Sequence, residues 1–195
     1  MKTRELLAYA AVFAIIIGLA MAVAGPGTDL GNAWKDYTGS TSNQVPAAGS
    51  SVVGGPSISA AKIDAILLSA GSPAAGSGQT FYQDSITYNI DNAYALALFH
   101  HESSYGTAGA ATQTRSIGNI ICTPGYSCIG RFRSYSSWSE GITDWYKLIS
   151  GPEYAGGGLV TLDQIIPKYA PSSDGNSPAS YIAAVQADVQ AWRAA

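Results

Sequence analysis

From Ser57 onward, apolar positions recur mostly at helical spacing. Ile58, Ala61, Ile63, Ile66 and Leu67 recur in this way before Gly71-Ser72-Pro73 breaks the pattern. A short helix is predicted over Phe81 to Tyr88. Asp91 suits the N-cap of a strongly apolar helix that runs through Ala93, Tyr94, Leu96, Ala97, Leu98 and Phe99 and ends near Glu102. That helix is expected at the centre of the core. Between Ser103 and Tyr135 the period fades, and Gly, Thr, Ser and Pro predict loops with a small hairpin. Ser137 and Glu140 have capping-box spacing ahead of Ile142, Trp145, Tyr146 and Ile149, and Thr161 and Gln164 repeat it ahead of Ile165-Ile166. Pro167 keeps that second helix short. Ser177-Pro178 starts a last helix, with Tyr181, Ile182, Val185, Val189 and Trp192 facing inward. The fold class expected is mainly α.

The N-terminus has a different pattern. After Lys2 and Arg4, residues Leu6 to Ala24 carry no charge, and so long an apolar run covers every face of a helix. Its length suits a membrane span, while Gly18 followed by Ala22-Val23-Ala24 resembles a signal-peptide cleavage site. Residues 1–24 are therefore expected to be a cleaved signal peptide or a retained membrane anchor. In both cases the two basic residues keep the N-terminus in the cytoplasm and place the rest of the chain outside. Residues 25–56, rich in Gly, Ser, Ala, Thr and Pro, are expected to be a flexible linker with a reach of roughly 30 Å. Residues 57–195 form the expected domain.

Charge narrows the choice of partner. Ten Lys and Arg against thirteen Asp and Glu give a net charge of -3, which argues against nucleic acid, whose phosphates need a basic face. Export sets the reading of the two cysteines: in an oxidising compartment Cys122 and Cys128, across a Pro-Gly turn, are expected to close a small disulfide loop, the alternative being two packed thiols. A lone cysteine pair lacks the further ligands a zinc site needs, and His100 and His101 point about 100° apart on a helix, so no metal site is expected. No phosphate-binding glycine motif and no cofactor signature is present, and a monomer is expected.

Among the residues able to do chemistry, Glu102 stands out. Leu98 and Phe99 share its helical face and would desolvate it, and burial keeps a carboxyl protonated towards neutral pH. It is the only acidic residue between Asp91 and Glu140, and Ser103-Ser104-Tyr105-Gly106 turn the chain out of the helix at that point. The helix dipole slightly disfavours a carboxylate at a C-terminus. Residue chemistry alone leaves two readings, a solvent-facing helix end and a general acid.

The stretch Ala93 to Gly106, with a glutamate followed by a serine and, four residues on, a glycine, resembles the acid-bearing motif of the peptidoglycan N-acetylglucosaminidases of glycoside hydrolase family 73, in the lysozyme-like superfamily. Ser116-Ile117-Gly118-Asn119-Ile120 is similar to that family's Asn-containing Phe-Gly-Ile segment, with a different order. Phe132-Arg133-Ser134-Tyr135 with Asp144-Trp145-Tyr146 resembles its Phe-Arg-x-Tyr stretch and following helix, and Lys168-Tyr169-Ala170-Pro171 with Ser180-Tyr181-Ile182 its C-terminal tyrosine pair. The resemblance implies a lysozyme-like helical domain with a small hairpin lobe. It also implies an endo-β-N-acetylglucosaminidase acting on peptidoglycan outside the membrane, with Glu102 as general acid and Tyr169 as a second catalytic residue. Tyr105, Arg115, Ser116, Asn119 and Tyr181 are the expected substrate contacts. One departure bears on mechanism: residues 103–139 contain no Asp or Glu, where the family often carries a second carboxylate. The substrate's acetamido group, or a muramic hydroxyl as in lytic transglycosylases, is the expected replacement. A non-catalytic wall-binding module is the alternative outside enzymology.

Overall fold

The structure, a computed structural model, describes residues 51–194. The expected signal or anchor, and the expected linker up to residue 50, lie outside the described residues. No described helix is long and apolar enough to cross a membrane.

Seven α-helices and one minimal hairpin account for the described architecture, which is mainly helical: α1 (Ala60–Ser69), α2 (Gly78–Tyr88), α3 (Asn92–Ser103), the single turn α4 (Ala111–Thr114), β1 (Cys128–Ile129), β2 (Phe132–Arg133), α5 (Trp138–Ser150), α6 (Leu162–Tyr169) and α7 (Pro178–Ala194). The core forms around α3. Every residue from Asn92 to Phe99 is buried, so this helix has no solvent face over its first two turns, and it packs chiefly against α7. The Asp91 carboxylate caps it by accepting from Ala93 N at 2.8 Å, and also accepts from Ser57 Oγ and Arg193 Nη2.

The other helices start where local chemistry allows, with two departures from expectation. Helix α2 begins three residues before Phe81, because Asp64 Oδ1 on α1 accepts from Gly78 N at 2.7 Å and supplies the cap from a distance. A Cβ at Gly78 would lie 2.2 Å from Ala60 O, so glycine at this position is a packing requirement. At α5, Ser137 Oγ accepts from Glu140 N as expected, but the Glu140 carboxylate reaches Ser136 N and Oγ rather than the N-cap amide. At α6 the Gln164 side chain accepts from Thr161 N and Val160 N.

The expected linker extends too far. Val52 is buried, its N–H donates to Val160 O, and its C=O accepts from Asp91 N, both at 2.9 Å. Ser51 to Pro56 therefore belong to the folded unit, ahead of the expected boundary at Ser57. A strap that buries one valine has no period by which to recognise it.

The loop region holds the antiparallel pair β1–β2, in register Cys128 with Arg133 and Ile129 with Phe132. Cys122 and Cys128 form the expected disulfide, with Cα atoms 5.9 Å apart, which closes the loop beside this hairpin.

Candidate functional site

The chain leaves α3 abruptly. Ser104, Tyr105 and Gly106 all have positive φ, and a Cβ on Gly106 would meet the Trp138 ring at 2.4 Å. The glycine four residues past Glu102 is thus fixed by conformation and by packing. The turn leaves Glu102 in the last turn of α3, half-buried as a residue, with its carboxyl enclosed.

Two side chains from distant segments hold that carboxyl. Tyr181 OH, on α7, donates to Oε1 at 2.7 Å, and Asn119 Nδ2 donates to Oε2 at 2.9 Å and to the Glu102 backbone oxygen at 3.3 Å. Burial raises the Glu102 pKa above its ordinary value, while the two hydrogen bonds act in the opposite sense and leave the net shift upward. No second carboxylate contributes to this shift. Burial and the nearby glutamate push the Tyr181 phenol well up, so it stays a neutral donor. The His101 ring packs on the Tyr181 ring with centroids 3.8 Å apart, and His100 Nδ1 meets Asp188 on α7 at 2.6 Å.

Asn119 sits at φ +46, the left-handed region that asparagine tolerates better than most residues. Gly118 before it is squeezed: a Cβ there would lie 2.0 Å from Tyr169 OH and 2.4 Å from the Trp145 ring. Tyr169 OH donates to Gly118 O at 2.6 Å and accepts from Trp145 Nε1 at 3.2 Å. The hydroxyl of Tyr169 is therefore committed to the loop that presents Asn119, and it is Tyr181 that touches the acid. Tyr169, expected as a second catalytic residue, makes no bond to Glu102, and Tyr181, expected as a substrate contact, does.

Of the remaining expected contacts, Tyr105 is buried edge-on to Phe99 and stacked under His100 at 4.4 Å, a packing residue. Ser116 is fully buried, its Oγ accepting from Ile120 N at 3.0 Å, which staples the loop and leaves it out of reach of a ligand. Arg115, exposed, donates to Tyr135 O at 3.0 Å. The structure brings together Glu102, Asn119 and Tyr181, places Tyr169 one residue behind them, and sets Tyr105, Ser116 and Arg115 in the framework. Gly118, Trp145 and His101 were missed as parts of this site. The Gly-Asn pair was the available signal for the first, whereas Trp145 and His101 read as packing residues.

A second network lies on the hairpin side. Asp144 on α5 accepts from Arg133 Nη1 at 2.8 Å and Tyr135 OH at 2.7 Å, so Arg133 pairs with a helix acid. Between hairpin and α5 runs an open groove of about 600 Å³ lined by Tyr126, Ser127, Tyr135, Asp144 and Lys147 among others. Glu102 does not line it. Among the described residues no group of three His, Cys, Asp or Glu could hold a metal ion.

Compared with known proteins, the sequence matches no family model and no curated protein.

Proposed function

We propose that the protein is an exported peptidoglycan hydrolase, an endo-β-N-acetylglucosaminidase of lysozyme-like fold, in which Glu102 is the general acid. The observation that carries this reading is a carboxyl enclosed at a helix end, shifted towards its protonated form, and held on both oxygens by neutral donors from other segments. A solvent-facing helix end needs none of this. The disulfide is compatible with export, and the glycan strand of the wall is the partner this chemistry suits.

In the proposed reaction Glu102 gives its proton to the glycosidic oxygen as the C1–O bond breaks. With no second carboxylate at the acid, the 2-acetamido oxygen closes on C1 to form an oxazolinium ion. Water then opens that ring and returns a proton to the Glu102 carboxylate. Asn119, through its amide nitrogen, would keep the Glu102 carboxyl oriented during that sequence. The same missing carboxylate supports a second reading, a lytic transglycosylase in which a muramic hydroxyl attacks C1, giving an anhydro product lighter by one water.

Glu102→Gln keeps the shape and an acceptor for Tyr181 but removes the proton. Digestion of purified peptidoglycan by the full chain, followed by fragment mass, is expected to fall by at least about 100-fold in the variant, in line with general-acid contributions. Binding to the wall is expected to persist. Unchanged digestion would overturn the acid assignment, and binding without digestion by the parent protein would leave a wall-binding module.

A further inference from the structure

We propose that the groove between the disulfide-closed hairpin and α5 is a separate sugar-binding subsite, with the Tyr126 ring as its platform and a pyranose of a β-1,4 N-acetylated amino-sugar chain as its occupant. The inference rests on the glycan reading above and adds a subsite that does not include the acid.

Tyr126 is 44% exposed, yet it is held in place from several directions. It lies inside the Cys122–Cys128 loop. The Arg133 guanidinium covers one face of its ring at 3.7 Å, and that guanidinium is itself tied to Asp144 at 2.8 Å and Thr123 Oγ1 at 3.1 Å. No other ring or cation partners Tyr126 among the described residues. An exposed aromatic side chain usually gains nothing from such immobilisation. One that offers a flat face to a ligand does, because ordering it beforehand removes an entropy cost from binding.

The surroundings suit a sugar better than the other ligands a groove of this size accepts. A volume of about 600 Å³ is within the range of small-molecule sites. A pyranose needs an apolar plate for its C–H face and mixed donors and acceptors for its equatorial groups. Beside Tyr126 the groove supplies the hydroxyls of Ser127 and Ser139, the Asp144 carboxylate and the Lys147 amine. Lys147, which is near enough to Asp84 to interact with its charge, makes no ion pair among the described residues. Glu140, also at the groove, has its pKa lowered by hydrogen bonds from Ser136 and is anionic at neutral pH. With Lys147 and the Arg133–Asp144 pair it leaves the groove without net charge, which suits a neutral sugar.

The test uses the full chain carrying Glu102→Gln, so that binding is measured without turnover, and chitotetraose, the tetramer of β-1,4-linked N-acetylglucosamine, as probe. Calorimetric affinity is expected to fall roughly tenfold on adding Tyr126→Leu, which keeps apolar bulk without the ring, and less than about twofold on adding Tyr126→Phe, an aromatic contact being worth about the former amount. Amide shifts in a nitrogen-15 spectrum are expected at residues 126–127 and 139–147, and unchanged peaks for α3 and α7 would show that the leucine variant folds. Equal affinity of the leucine variant and its parent, or shifts confined to Glu102, Asn119 and Tyr181, would overturn the subsite. Tyr126-dependent binding in a protein whose wild type cleaves no wall would sink the hydrolase reading alone, while cleavage without Tyr126-dependent binding would sink the subsite alone. No binding at all would count against the subsite.

Discussion

At the scale of single residues, the protonation of Glu102 is set by a contest between burial and two hydrogen bonds, and the contest has consequences for stability and for pH. A carboxyl whose pKa is raised on folding binds more protons folded than unfolded, so stability falls as pH rises from the ordinary value of 4.5 through the folded value. Below that window the penalty is absent, and above it the penalty is complete. Glu102→Gln is therefore expected to unfold at higher urea concentration than the parent at pH 7, with the gain vanishing near pH 4. A uniform difference across that range would mean that the side chain's shape, and not its ionisation, sets the cost. Tyr181→Phe removes a bond that favours the charged form, so the Glu102 pKa should climb further and the alkaline limb of the activity profile should move to higher pH. A shift to lower pH would show that the phenol stabilises the acid form instead.

At the scale of elements, most helices were legible and the connections between them were not. α3, α5 and α7 announce themselves because a capping residue precedes a long apolar period, and both signals depend only on neighbours in sequence. The first turn of α2 is hidden because its cap comes from Asp64, on another helix. The site was legible as a set of names. That Tyr181 and Glu102 meet, 79 residues apart, follows only from the docking of α7 on α3, and the commitment of the Tyr169 hydroxyl to the Gly118 loop depends on where Trp145 places its indole.

Two elements invite direct tests. Gly106→Ala sets a side chain at positive φ against Trp138, and the variant is expected to lose about 1–3 kcal/mol of stability, measured by urea unfolding. A loss within a few tenths of a kcal/mol would mean that Trp138 moves aside. Replacing Cys122 and Cys128 with serine opens a loop that chain entropy values at about 2 kcal/mol. Because the hairpin is exposed and local, faster hydrogen exchange is expected there, with α3 unaffected. Faster exchange throughout the core would show that the hairpin is part of the global folding unit.

Across the whole molecule, α3 and α7 run side by side with contacts at both ends of the seam. At the start of α3, Arg193 Nη2 donates to the buried Asp91 carboxylate at 2.5 Å, and Lys62 Nζ donates to Trp192 O nearby. At its finish, His100 meets Asp188, His101 packs on Tyr181, and Tyr181 holds Glu102. One end secures the fold and the other holds the proposed acid, so a cut at the first should separate stability from the proposed chemistry. Arg193→Ala leaves Asp91 buried with its helix cap and its Ser57 bond intact. Removing one partner of a buried pair is costly, but the guanidinium is about one-third exposed, so the loss is discounted to about 1–2 kcal/mol. Urea unfolding should show that loss, while wall digestion at a temperature where the variant stays folded should match the parent. If turnover drops with the fold still intact, strain at the Asp91 end reaches Glu102 through the seam, and the two helices act as one rigid lever rather than as independently fastened ends.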